Sequence, residues 1–133
     1  ASNAASACES LLRQTIDYVN ERKAFGKPVA AFQNTQFKLA ELDTETAAAR
    51  VFFDRCLELH IEGKLDPVTA AKIKLLTTDL NSKVADECLQ LHGGYGYMWE
   101  YPIARGWADA RVQRIYAGTN EIMKLIISRE ILK

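Results

Sequence analysis

The sequence predicts an all-α protein, an antiparallel four-helix bundle with a short additional helix. Three observations point there. Apolar residues recur at steps of three and four over long segments, which is the spacing of one buried helix face. Glycine and proline fall mostly between those segments or at their first positions, Gly106 in the short fourth helix apart. No segment alternates apolar and polar residues at the period of two that a half-buried strand requires, and no internal repeat is present.

The first helix is expected over residues 5–22, with Cys8, Leu12, Ile16 and Val19 on its buried face, and Gly26 and Pro28 stopping it. The second is expected over residues 32–62. There Thr35, Leu39, Leu42, Thr46, Ala49, Phe53, Cys56 and His60 follow alternating steps of three and four, a bundle seam. At 1.5 Å per residue this helix reaches about 45 Å and needs neighbours along its whole length. Gly63 ends it. Asp66 is a good N-cap and Pro67 suits the first helical position, so a third helix starts there. Ile73, Thr77, Leu80, Val84, Cys88 and Leu91 mark its buried face, and Gly93 and Gly94 close it. A short fourth helix covers residues 102–110, and a fifth covers 120–132 with Ile122, Leu125, Ile126 and Ile131 apolar.

A chain of 133 residues suits one domain with one real core. Lysine plus arginine and aspartate plus glutamate balance at 17 each, so nothing in the charge points to nucleic acid or an anionic membrane. No apolar run is long enough to cross a bilayer, and no secretory or transit segment is read at the start. Ser2-Asn3-Ala4 reads as the remnant of a removed tag, so residues 1–4 are set apart from a domain over 5–133, and the chain is expected to be a piece of something longer. Cys8, Cys56 and Cys88 form no CxxC pair and sit in helical, apolar-periodic settings, which fits a reducing compartment. Cys56 and His60 share an i, i+4 spacing, but no second ligand pair completes a metal site, so core packing is the reading and no metal is expected.

The stretch from Gln90 to Glu121 departs from plain amphipathic helix. It carries most of the glycines and tyrosines and both tryptophans. Glycine is needed where backbone turns with positive φ or approaches something closely, and aromatic residues beside such turns supply flat apolar area with polar tips. The stretch therefore reads as a shaped surface with the helices as its support. Thr119, after Gly118, can cap the fifth helix and leave a positive dipole end beside a glycine turn. The basic loop from Arg22 to Pro28, with Phe25 in it, is either a solvated turn or an anion contact. Several catalytic templates fail. His92-Gly93-Gly94 has no GxSxG nucleophile elbow to serve, Gly94-Tyr95-Gly96 lacks the third glycine of a dinucleotide fingerprint and follows a helix, and no P-loop or HExxH occurs.

Taken together, Gln90-Leu91-His92-Gly93-Gly94-Tyr95-Gly96-Tyr97, Glu100-Tyr101-Pro102, Asp109-Ala110-Arg111 and Ile115-Tyr116-Ala117-Gly118-Thr119-Asn120-Glu121-Ile122 closely resemble the C-terminal domain of acyl-CoA dehydrogenases. Glu21-Arg22-Lys23-Ala24-Phe25-Gly26-Lys27 and Gln33 match that family's earlier loop, and the wording around Met98-Trp99-Glu100 resembles its long-chain branch. The resemblance runs from about Cys8 to the end of the chain. It implies a longer enzyme with an N-terminal helical domain and a middle β domain, and flavin adenine dinucleotide (FAD) held between that β domain and this bundle. The implied flavin contacts are Arg22, Phe25 and Gln33, then Gln90, Leu91, Gly93 and Gly94, both groups serving a flavin held mainly by a partner subunit, and Thr119 and Glu121 after the second turn. Ala24 replaces a hydroxyl residue of some relatives, which removes one polar contact.

The implied reaction is α,β-dehydrogenation of an acyl-CoA, with electrons passed from FAD to an electron-transfer flavoprotein. Tyr116, Ala117 and Gly118 are implied to line the acyl pocket. Many members carry the catalytic glutamate where this chain has Ala117, and alanine cannot take a proton. In the long-chain and isovaleryl branches the base sits on the first bundle helix, at a position before Cys8. The resemblance thus implies no catalytic residue in this chain and a homodimer or homotetramer; bacterial cytoplasm and mitochondrial matrix both suit the reduced cysteines. Two other readings stand beside it: a helical oligomerisation module without activity, and part of an acyl-CoA oxidase or nitroalkane oxidase relative.

Overall fold

The computed structural model describes all residues, 1–133. Helix α1 covers Ser2–Glu21, α2 Gln33–Ile61, α3 Pro67–His92, α4 Pro102–Val112 and α5 Asn120–Ile131. Between α1 and α2 lie two short strands, β1 (Lys23–Ala24) and β2 (Lys27–Pro28), and a 3-10 turn at Val29–Ala31. A second 3-10 turn, Gly93–Tyr97, follows α3 directly.

Side-chain pairs fix the helix directions. On α1 and α3, Cys8 meets Asn81 and Tyr18 meets His92, so the two helices run parallel and nearly in register. Arg50 of α2 reaches Glu9 of α1, and Lys38 pairs with Glu87 while Glu45 pairs with Lys83, so α2 runs against both. On α4, Trp107 bonds Asp86, and beyond the helix end Arg114 pairs with Asp79, so α4 runs antiparallel to α3. The result is an up-down-up-down bundle in which α5 packs chiefly on α3. The shared core joins Cys8, Leu11 and Leu12 of α1, Leu42 and Ala49 of α2, Leu80, Val84, Ala85 and Cys88 of α3, and Ile103 and Ala110 of α4.

The capping chemistry is as expected at two starts. Asp66 accepts from Val68 N and Thr69 N, both at 2.9 Å, with Pro67 in the first turn. Thr119 accepts from Ile122 N at 3.3 Å. These bonds satisfy donors that a helix start otherwise leaves open.

Several expectations need correction. Helix α1 begins at Ser2, a turn before residue 5, and Ala4 is only 1% exposed, so the added turn packs against the bundle. Ile16, expected inside, is exposed, and Leu11 and Thr15 take its place in the buried set. On α2 the seam is not buried throughout: Leu39 near its start and Phe53 further on are half-buried, and His60 near its end is exposed. Cys56 is buried, while His60, one turn further on, is exposed. A small antiparallel ladder, Lys23 opposite Pro28 and Ala24 opposite Lys27, occupies the basic loop where no strand was expected. It is too short for period-two alternation to register in sequence. Its two turn residues, Phe25 and Gly26, both have positive φ (52° and 79°), the twist that a tight two-residue hairpin demands. On α5, Ile122, Leu125 and Ile131 are exposed, because only its other side rests on α3.

Candidate functional site

The Arg22–Pro28 loop and the glycine turn meet at one end of the bundle. Because α1 and α3 run parallel, their carboxyl ends emerge together, and an open cleft of about 570 Å³ forms between them. Tyr18, Arg22, Ala24 and Val29 line one wall. Gln90, Leu91, His92, Gly93, Gly94, Tyr95 and Met98 line the other.

Each wall is held by local chemistry. Arg22 ends α1 with its N–H on Tyr18 O at 2.8 Å, and its own carbonyl accepts from Val29 N at 2.8 Å, which closes the hairpin. Its guanidinium lies over the Tyr95 ring, 5.3 Å from the centroid. Tyr95 in turn packs on Tyr101 at 5.1 Å. Beneath the turn, Tyr18 stacks on His92 with centroids 4.2 Å apart and donates its hydroxyl to His92 O at 3.2 Å. The His92 Nδ1 lies 2.8 Å from Cys88 O and donates to it, since a carbonyl can only accept. Burial pulls the His92 pKa down, more than the Cys88 carbonyl raises it, so the ring stays neutral at pH 7. The same burial pushes the Tyr18 hydroxyl up, and the phenol stays protonated.

Three glycines do different work here. Gly93 has φ 62° and ψ −141°, a conformation open to glycine and costly for any other residue. Gly96 is buried, and a Cβ there would sit 2.5 Å from the Leu89 carbonyl oxygen. Gly94 has neither constraint: its φ is not positive, and a Cβ added to it, or to Gly93, meets nothing within 4 Å. Those two main-chain units face open space in the cleft, with the Arg22 cation on the opposite wall. The Gly93 N–H is donated to Gln90 O, and what the turn offers is main chain without side chains beside a guanidinium, a surface suited to close approach of a phosphate-bearing ligand.

The cleft therefore brings together Arg22, Gln90, Leu91, Gly93 and Gly94. Phe25 and Gln33 lie at the same end of the molecule but outside it. Phe25 is 97% exposed at the hairpin tip, its ring 6.3 Å from Phe32. Gln33 opens α2 and is exposed.

The second turn is elsewhere. It docks at Lys74, 18 residues before His92 on the same helix, roughly 27 Å away along α3. Tyr116, Ala117 and Gly118 are exposed there, and Ala117 and Gly118 both have positive φ (53° and 87°). Glu121 is exposed in the first turn of α5. The base of this loop is tied down firmly. Asn120 N donates to Arg114 O at 3.0 Å. The Asn120 side chain, 1% exposed, donates to Thr78 Oγ1 at 3.0 Å and Asp79 Oδ1 at 2.8 Å. Lys74 Nζ donates to Gly118 O at 2.8 Å and to Asn120 Oδ1 at 2.6 Å. Arg114 Nε lies 2.8 Å from Asp79 Oδ1, an ion pair whose N–H is not aimed at the oxygen.

Sequence reasoning missed Tyr18 and the whole Lys74–Asn120 network. Tyr18 lies four residues before Arg22, on the same helix face, and that spacing was a usable signal. Lys74 and Asn120 are 46 residues apart and carry no local sign of each other.

Residues 1–132 match the family model for the acyl-CoA dehydrogenase C-terminal domain. The mitochondrial long-chain specific acyl-CoA dehydrogenase of Mus musculus is 55% identical over 129 residues, covering 97% of this chain and 30% of that protein. A crystal structure of an acyl-CoA dehydrogenase from Geobacillus kaustophilus superposes with a TM-score of 0.94 at 49% identity, covering 96% of this chain and 34% of that one. An acyl-CoA dehydrogenase from Bacillus anthracis, solved in complex with FAD, superposes with a TM-score of 0.91 at 30% identity, covering 97% of this chain and 25% of that one. The chain thus spans about a third or less of the length of these relatives. On the family model, the level of identity and the shared fold, the chain belongs to the acyl-CoA dehydrogenase family, whose C-terminal helical domain it matches.

Proposed function

We propose that this chain is the FAD-binding C-terminal module of an acyl-CoA dehydrogenase that oxidises the Cα–Cβ bond of an acyl-CoA thioester. The observation that carries this reading is the cleft in which the Arg22 guanidinium faces the side-chain-free Gly93–Gly94 main chain. It fits the pyrophosphate bridge of FAD, with Arg22 neutralising charge and Gly93 and Gly94 allowing close backbone approach. Gln90 and Leu91 complete that wall, and Phe25 and Gln33 extend the contact surface beyond it. When bound, FAD supplies the acceptor for the hydride that leaves the β-carbon.

Thr119 and Glu121 serve the other end of a flavin site, and the Tyr116–Gly118 loop lines the acyl pocket. Ala117 offers no proton acceptor, so the carboxylate that removes the α-proton comes from elsewhere. It is placed upstream, in line with α1 but ahead of its first turn, which carries no acidic residue, and the support is register. Cys8 lies beside Asn81, and seven residues back on each parallel helix brings Ala1 to Lys74, the residue that holds Gly118. In the full-length protein the module associates as a homodimer or homotetramer, passes electrons to an electron-transfer flavoprotein, and works in bacterial cytoplasm or mitochondrial matrix.

The test is direct. In the full-length protein, Arg22→Ala is expected to weaken FAD retention at least 10-fold, read from flavin absorbance after gel filtration, with the helical circular dichroism unchanged. Unaltered FAD retention would remove the cleft from the flavin site. The 133-residue chain alone is expected to show no turnover of acyl-CoA with an artificial electron acceptor.

A further inference from the structure

Arg22 is held in place without spending its hydrogen bonds. Arg50, Arg55 and Arg114 of this chain each face a carboxylate. The Arg22 guanidinium lies instead over the Tyr95 ring, 5.3 Å from its centroid. A ring face attracts a cation through its quadrupole and takes no N–H, so the donors of the guanidinium fork stay available. A carboxylate partner would offset the charge and occupy the same donors that a phosphate uses.

Tyr95 is fixed in turn. It follows Gly94 in the Gly93–Tyr97 turn, so the cation it carries stands next to the side-chain-free main chain. Its carbonyl accepts from Met98 N at 3.2 Å, and Met98 O accepts from Tyr101 N at 3.0 Å. Gly96, its neighbour, is buried and sits close against the Leu89 carbonyl, which seats the turn on the end of α3. The Tyr95 ring packs on Tyr101 at 5.1 Å, and Tyr101 meets Tyr18 edge-on at 6.4 Å. Tyr18 and Arg22 are one turn apart at the end of α1, joined by the Arg22 N–H on Tyr18 O at 2.8 Å. The contacts close a circuit, from Tyr18 through Tyr101 and Tyr95 to Arg22 and back along α1. A long side chain at a helix end is otherwise free to move, and ordering it on binding costs free energy. Here the rings order it beforehand.

We propose that Tyr95 is a positioning residue for FAD: its ring holds the Arg22 guanidinium beside Gly93 and Gly94 with its N–H groups free for the pyrophosphate. The proposal rests on the flavin reading of the cleft given above. It goes beyond that reading by assigning the orientation of the charge to a ring acting through Arg22. The requirement is a flat π face. A phenylalanine ring meets it, and an aliphatic side chain does not.

The experiment strips FAD from the full-length protein and titrates it back, with the dissociation constant read from flavin fluorescence. The variants are Tyr95→Leu and Tyr95→Phe, each alone and combined with Arg22→Ala. Tyr95→Leu is expected to weaken FAD binding about 3–10-fold, the cost of ordering a side chain that the ring no longer holds. Tyr95→Phe should stay within about twofold of the unaltered protein, because the π face remains. In the Arg22→Ala background, Tyr95→Leu should add less than about twofold, because the group it positions is gone. If Tyr95→Leu does not fold, Tyr95→Met fills the space without a π face and takes its place. An unchanged dissociation constant in the folded variant lacking the ring overturns the proposal. Equal losses with and without Arg22 overturn it too, since the ring would then act on the cofactor or the turn directly. A lowered denaturation midpoint with no coupling to Arg22 marks a packing role and has the same consequence. If Arg22→Ala alone leaves FAD binding unchanged, the flavin reading of the cleft falls and the proposal falls with it.

Discussion

At the scale of single residues, the glycine turn separates folding from binding. Gly96 is sterically required, since a Cβ there collides with the Leu89 carbonyl at 2.5 Å, and a backbone atom cannot swing aside as a side-chain tip can. Gly94 is sterically free. The two positions therefore predict opposite phenotypes. Gly96→Ala is expected to cost about 1–3 kcal/mol in urea denaturation, the range for overpacking a tight site. Gly94→Val is expected to leave the denaturation midpoint within experimental error and to weaken FAD binding about 10-fold or more in the full-length protein, because its side chain grows into the cleft. Equal loss of stability in both variants would show that the turn is only a fold device. The glycines themselves were visible in the sequence. Which of them is steric and which is open was not, because that depends on Leu89, seven residues back on a helix whose end geometry no pattern encodes.

At the scale of elements, the carboxyl end of α3 carries a buried histidine whose charge state belongs to the fold. Burial holds the His92 pKa below its ordinary value of about 6.5, while an unfolded chain leaves it there. In the window between the folded and unfolded values the unfolded state binds more protons, so stability rises with pH. The contribution is present above about pH 6.5 and is lost as pH falls below it. The denaturation midpoint is therefore expected to drop between pH 7.5 and 5.5, and His92→Leu should flatten that part of the profile; an unchanged slope in the variant would place the titrating group elsewhere. Most elements could be read in advance, because long apolar faces, Asp66-Pro67 and Thr119 are local signals. The hairpin at Lys23–Pro28 was not readable, since four paired residues give no periodicity. The apolar residues of α5 were visible, but their exposure was not, because burial depends on what lies opposite.

At the scale of the whole molecule, the two turns cannot belong to one compact site on one chain. Arg22 and Gly93–Gly94 stand at one end of α3, and the Ala117–Gly118 turn docks at Lys74, roughly 27 Å back along the helix. Each is open to solvent. In a twofold assembly, the cleft of one copy and the second turn of the other can face a common flavin. This arrangement predicts complementation. Take full-length Arg22→Ala, which spoils the cleft, and full-length Gly118→Val, which spoils the second turn through its φ of 87° and its contact with Met123. Each homodimer has two defective sites. In a mixed dimer with shared sites, one site combines the sound cleft of one copy with the sound turn of the other, while the remaining site carries both defects. Random mixing makes half the dimers mixed, so co-refolding the two inactive proteins should recover about a quarter of the unaltered activity. If each copy built its whole site alone, every site in the mixed dimer would carry one defect and no activity would return. Measuring turnover after co-refolding therefore decides whether the distance between the two turns reflects a site shared across the interface.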